Sequence, residues 1–315
     1  MKGLELSKAY FTAHGLPMLE QQFPELMPYL AAGLAGSGSE VLGFDDEVSR
    51  DHDFEPGFCL FLPGEELLDR RTAFLLERAY AKLPKEFMGF TRSLMSPVGG
   101  ARHGVLRTGE FFQEKVGAPD GILTLSQWMR LPEQSLAEAA GGEIFYDGLG
   151  EVTRIREALS YYPEEIRLKK LAGELLIMAQ SGQYNYNRCL KHGEKAAAQL
   201  AVVAFVKSAM HVLFLLNRVY EPYYKWSFRA LRQLPKLALE AELLEYLLTT
   251  DNEPEMAEAK YDVMEGICAD VIDELQEQAL TEAICGDLEK HAYSVNDRIR
   301  DAEIRNLHIL AGIND

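Results

Sequence analysis

Cysteine is scarce in this chain. Four are present among 315 residues (Cys59, Cys189, Cys268 and Cys285), far apart and with no CxxC pair. That spacing gives no support to a structural zinc site or a disulfide framework, and the expectation is free thiols in a reducing, cytoplasmic compartment. Basic residues are also in short supply, 32 Lys and Arg against 49 Asp and Glu, for a net charge of −17. This balance argues against nucleic acid as a partner held by a broad basic surface, although a local group of donors still suits a small anion. The first eight residues lack the apolar core of a signal peptide. The most apolar run, 200–216, is interrupted by Lys207 and His211, so it reads as a buried helix and no membrane partner is expected. No Gly-Lys-Ser/Thr phosphate loop, no Rossmann glycine spacing and no GxSxG elbow occurs. Internal repeats and low-complexity tracts are absent as well.

What is present divides into two textures. An apolar content of 47% is ample for a core. Up to about residue 151 the chain mixes short apolar runs with many glycines and prolines, and from about Pro163 it is nearly all helical in period. The fold class is therefore α+β, with a mixed-sheet domain over 1–162 and an all-α bundle over 163–315, divided at Tyr161-Tyr162-Pro163. Strands are expected within 29–35, 51–54, 58–62, 104–108 and 143–146. Helices are expected over 6–27 with interruptions at Gly15-Leu16-Pro17 and Pro24, and over 65–82, 110–116, 126–129 and 133–140. The second half is expected to hold helices over 164–181, 186–220, 225–233, 236–249, 254–289 and 295–311. The acid-rich run 270–289 reads as a solvated helix face.

Two neighbouring features carry chemistry. Gly36-Ser37-Gly38-Ser39 is a small-residue turn whose backbone N–H groups can close on a phosphate. Asp51-His52-Asp53 follows, and in an extended strand its two acids share one face, where they can hold a divalent cation such as Mg²⁺. Farther along, Lys207, His211 and Arg218 are spaced to fall on one side of a helix. They read either as a basic stripe near a triphosphate or anionic acceptor, or as a narrow solvated stripe. Lys225 is a further phosphate candidate, whereas Trp226 and Tyr223 are read as packing.

The Gly38-Ser39 turn, the later Gly43, Ser49 and the Asp51-His52-Asp53 triplet together resemble the signature of the nucleotidyltransferase superfamily, the polymerase-β-like fold. Eleven residues separate Ser39 from Asp51, which suits that family's spacer, and Arg50 reads as a one-residue extension of the commonest form. Gly142 to Gly148 resembles a later strand of the same domain. Arg218 to Trp226 is similar to a helical segment in an uncharacterised bacterial branch related to the aminoglycoside and lincosamide nucleotidyltransferases. The resemblance implies transfer of a nucleoside monophosphate from a nucleoside triphosphate to a hydroxyl of a small molecule or protein. It implies Asp51 and Asp53 as catalytic Mg²⁺ ligands and Gly38 and Ser39 at the β and γ phosphates, helped if a helix begins there. A third acid usually lies on a neighbouring strand in this family. The matching segment 102–108 has none, which leaves Glu110, with Glu143 as the alternative. Two other classes remain: a catalytically silent nucleotide-sensing protein of the same fold, and a scaffold that forms homo-oligomers through the apolar helix 200–216.

Overall fold

A computed structural model describes residues 1–48, 54–92 and 103–313. The described elements, in chain order, are α1 (Gly3–Tyr10), α2 (Leu16–Gln22), β1 (Ala31–Leu34), β2 (Cys59–Leu62), α3 (Arg70–Ala81), β3 (Glu86–Phe87), β4 (Phe90–Thr91), β5 (Gly104–Arg107), α4 (Thr108–Val116), α5 (Leu125–Arg130), α6 (Glu133–Ala140), β6 (Glu143–Asp147), α7 (Glu151–Ala158), α8 (Glu164–Met178), α9 (Asn187–Lys191), α10 (Lys195–Asn217), α11 (Tyr224–Leu231), α12 (Glu240–Thr249), α13 (Pro254–Glu277), α14 (Leu288–Asp297) and α15 (Ala302–Asn306). The protein is a mixed α+β structure. Its chain forms two compact units, the first made of Met1–Leu123 and Ser135–Ser160, the second of Thr124–Gln134 and Tyr161–Asp315.

The first unit is built on a four-stranded sheet in the order β5-β2-β1-β6. β1 and β2 are buried at every residue, which is why they read as continuous apolar runs with no alternation. β1 is antiparallel to β2 and β6, and β2 is parallel to β5. Gly33 pairs with Cys59, Leu34 with Glu143, and Cys59 with Gly104. This register gathers the last residue of β1 and the first residues of β2, β5 and β6 at one end of the sheet. A cluster including Tyr10, Phe11, Leu19, Phe58, Leu60, Leu76 and Tyr80 forms the core against the sheet. The break expected at Gly15-Leu16-Pro17 is instead one π-helical turn, Phe11–Gly15, joining α1 to α2. A Cβ on Gly15 would stand 2.6 Å from the Phe58 ring, so the missing side chain admits that ring. α3 begins later than its sequence suggests. Asp69 caps it by accepting from the Thr72 amide at 2.8 Å, which fixes the first turn after residue 69.

The second unit is helical. α8 packs on α10 and α14, then passes into a π-helical stretch, Ala179–Tyr186. Three long helices expected from the sequence are broken. Gly193, at φ +77°, separates α9 from α10. α13 stops at Glu277, and Ala279 adopts φ +54° before α14 begins at Leu288. α14 in turn ends at Asp297, ahead of α15. The acid-rich run is consequently not one solvated face. Glu274 within it is buried and accepts from Lys236 Nζ at 2.6 Å. α10 is long and apolar enough to cross a membrane by length and composition alone. Twelve of its residues are buried within the unit, as in the core helix of a globular domain.

Candidate functional site

At the gathered end of the first unit's sheet, β1 runs out into the Gly/Ser turn. Gly36 has φ +102° and Gly38 φ +139°, conformations that favour glycine. The Gly36 amide is already used, donating to Glu138 O at 3.1 Å. Among the described residues no hydrogen bond uses the amides of Ser37, Gly38 or Ser39, and the Glu40 carboxylate packs against Gly38, where an added Cβ would stand 2.3 Å from its Oε1. No helix begins at Ser39. Bonds from Gly43 N to Glu40 O (3.3 Å) and from Phe44 N to Ser39 O (2.9 Å) close a set of turns, and Gly43 at φ +70° ends them. The turn therefore offers individual amides without a helix dipole behind them.

The start of β2 lies beside this turn and is held tightly. Ser7 Oγ donates to Gly57 O at 2.6 Å, and the Tyr80 hydroxyl donates to Phe58 O at 2.7 Å. His103, just before β5, lies with its Nδ1 3.6 Å from Glu55. Asp51 and Asp53, the acids expected from the sequence to hold Mg²⁺, lie outside the described residues. As two carboxylates one residue apart they supply the hard oxygen donors that Mg²⁺ prefers. No group of three or more His, Cys, Asp and Glu suited to a metal ion occurs among the described residues.

The two acids weighed as the third carboxylate fall at opposite ends of the sheet. Glu110 follows the far end of β5, is exposed, and lies in the field of Arg70. Glu143 opens β6 opposite Leu34, at the same end as the Gly/Ser turn. Glu110 therefore does not share the end of the sheet that carries the Gly/Ser turn. Parallel pairing of β5 with β2 carries every residue after Arg107 away from the start of β2. Glu143 forms an ion pair with Lys8 of α1, a partner that no local sequence pattern reveals. The turn before Glu143 is fixed by Arg156, whose Nη2 donates to the carbonyls of Ala140, Gly141 and Gly142 at 2.8, 2.7 and 2.9 Å. Gly142 has φ +77°, and a Cβ there would meet Leu34 O at 2.0 Å.

Lys207 and Lys225 both belong to the second unit. Lys207 and His211, four residues apart on α10, line a cavity of about 420 Å³ together with Glu133, Lys170, Glu174 and Glu221. His211 lies between two carboxylates, with Nδ1 3.0 Å from Glu174 and Nε2 2.6 Å from Glu221. Burial alone would push the imidazole pKa down, but the bonds to Glu174 and Glu221 override it and hold it at about 11. Burial pushes the Glu133 carboxyl up to about 7, with Lys170 and His211 opposing. Burial also lowers the Lys170 ammonium. Arg218 does not continue the stripe. It sits past the end of α10 at φ +55° and bonds Glu164 at 2.8 Å. Lys225 does not line the cavity, and its Nζ lies 5.1 Å from the centroid of the Trp226 ring. The three glutamates were missed by sequence reasoning because they come from α6, α8 and the segment after α10, with no local spacing to mark them.

Residues 128–227 match a family model described as a domain of unknown function (DUF4037). The match includes Glu143, Arg156 and most of the residues that line the cavity, and it does not reach the Gly/Ser turn. No curated protein and no solved structure matches the chain.

Proposed function

We propose that this chain is a Mg²⁺-dependent nucleotidyltransferase of the polymerase-β-like fold, passing a nucleoside monophosphate from a nucleoside triphosphate to a hydroxyl. The reading is supported above all by one observation: the Gly/Ser turn, the start of β2 and Glu143 converge at one end of the sheet. In this reading the amides of Gly38 and Ser39 orient the β and γ phosphates. Asp51 and Asp53 are the residues that would hold Mg²⁺, which when bound supplies charge neutralisation at the phosphates. Glu143 accepts the proton of the attacking hydroxyl. Lys8 positions that carboxylate, and Arg156 positions the turn that presents it.

The test is pyrophosphate release from each labelled nucleoside triphosphate against a panel of metabolites and aminoglycosides. Release that depends on Mg²⁺ is expected, abolished by Asp51→Asn with Asp53→Asn. Glu143→Gln is expected to lower turnover by a factor on the order of 100 or more, and Glu110→Gln to leave it near the parent rate. Absence of both pyrophosphate release and Mg²⁺-dependent triphosphate binding would overturn the proposal. One observation favours a second reading, a silent nucleotide sensor: β5 carries no acid at all. That reading expects triphosphate binding with no turnover on any acceptor.

A further inference from the structure

The cavity in the second unit holds three acids and three bases, and the hydrogen bonds they already make decide which ligand charge it suits. Glu221 accepts from the Ser227 hydroxyl through Oε1 at 2.8 Å, and its buried Oε2, which takes no hydrogen bond, lies 2.6 Å from His211 Nε2 as an ion pair. Glu174 gives one oxygen to His211, and Glu133 gives one to the Glu221 amide at 3.0 Å. Both His211 nitrogens face these acids, Nδ1 in a hydrogen bond and Nε2 in an ion pair. The lysines stand differently. Lys170 is buried and spends one N–H on Gly312 O at 2.7 Å. Lys207 makes no hydrogen bond or ion pair among the described residues. An ammonium has three donors and no acceptor, so Lys170 and Lys207 keep unspent N–H donors, whereas the acids are already faced by His211, Ser227 and the Glu221 amide. Its remaining wall is apolar and aromatic, including Met210, Pro222 and the Tyr223–Tyr224 ring pair at 4.3 Å. A volume of about 420 Å³ lies in the range of small-molecule pockets.

We propose that this cavity binds a small organic anion, a carboxylate or phosphoryl compound, through the ammonium groups of Lys170 and Lys207. The proposal stands independently of nucleotidyl transfer. The groups facing Glu133 are Lys170 of α8, His211 of α10, Glu221, and the phenols of Tyr161, Tyr162 and Tyr220. When Glu133 is protonated the cavity gains positive charge, so anion binding tightens as pH falls through about 7.

Calorimetric titration with citrate, pyrophosphate and spermidine tests this. It is done without Mg²⁺ and in the Asp51→Asn, Asp53→Asn background, so that a nucleotide site in the first unit contributes nothing. Saturable binding of citrate or pyrophosphate is expected, and the preferred one distinguishes carboxylate from phosphoryl ligands. Lys207→Met, at an exposed position, is expected to weaken binding at least tenfold with an unchanged melting temperature. Lys170→Met should act in the same direction. Glu133→Gln should keep binding and flatten its dependence on pH between 6 and 8. Failure of both anions to bind, equal affinity in Lys207→Met, or spermidine binding that is lost in Glu133→Gln would each overturn the proposal. Loss of nucleotidyl transfer in the double asparagine variant would leave it untouched.

Discussion

His211 shows how far a residue's surroundings reassign it. A histidine interrupting an apolar helix invites a reading as a base, yet an imidazole held protonated between the Glu174 and Glu221 carboxylates carries no lone pair to accept a proton. Its role is to neutralise two carboxylates that are otherwise buried, with side chains 6% and 11% exposed. The linkage has a definite sign. Because the folded pKa of about 11 exceeds the ordinary value near 6.5, the stabilisation is complete below pH 6.5 and is lost as pH rises through about 11. Breaking such a buried pair typically costs about 3–5 kcal/mol. The ring is 36% exposed, so solvent offsets part of this, and His211→Gln is expected to cost about 2 kcal/mol at pH 7. Urea titrations at pH 7 and pH 10 check it: the difference between parent and variant should shrink at the higher pH. Glu133 acts within a lower range. Its raised carboxyl contributes stability that is present below about pH 4.5 and lost as pH rises through about 7, so Glu133→Gln should flatten the stability profile over that interval.

At the scale of elements, the end of α10 carries a local cost that can be relieved. Arg218 closes the helix in the left-handed region, its amide 3.4 Å from Leu215 O, while the next amide, that of Val219, donates to Phe214 O at 3.1 Å. This is a position where glycine is normally found, and a non-glycine residue there costs about 1 kcal/mol. The bond that Arg218 makes to Glu164 joins two half-exposed side chains and returns little. Arg218→Gly should therefore raise stability by up to about 1 kcal/mol, read as a higher denaturation midpoint with unchanged slope. The same position shows what sequence periodicity could and could not reveal. Lys207 and His211 are one helical turn apart and do meet in one cavity, because four-residue spacing is local geometry. Arg218 satisfied the same periodicity on paper, but the helix ended first. β1, β2 and β6 were legible as short apolar runs beside glycines, and so was the Gly/Ser turn, whose conformation only glycines adopt with ease. Which of Glu110 and Glu143 shares the sheet end with the Gly/Ser turn was not legible, since it depends on which strands pair and in which direction. Nor were Glu133, Glu174 and Glu221, which tertiary packing alone brings around His211.

For the molecule as a whole, the decisive fact is that the chain enters its second unit twice. Thr124–Gln134 belongs with Tyr161–Asp315, and Ser135–Ser160 returns to the first unit. The excursion is a structural part of the helical unit. α5 packs on α8, with Trp128 and Met129 each only 5% exposed. The Trp128 ring lies 6.0 Å from that of Tyr162, which in turn meets Tyr220 at 5.0 Å. The Met129 side chain lies close to Gly312, where an added Cβ would stand 2.5 Å from its Cε. A single cut at the proline after Tyr161-Tyr162 divides the sequence by composition but strips the helical unit of α5, of Glu133 and of both tyrosines. Fragment 163–315 is therefore expected to lack a cooperative thermal transition, whereas a fragment starting at Thr124 keeps all of the unit's own residues and should retain one. In the intact chain Trp128→Ala should cost about 3–5 kcal/mol, the usual loss for truncating a buried aromatic. A cooperative melt of 163–315 at the temperature of the full chain would show that the short excursion is dispensable. The packing of Trp128, on α5, against Tyr162 makes the opposite result the expected one, because removing α5 and the tyrosines exposes the faces of Tyr220 and α8 that they cover.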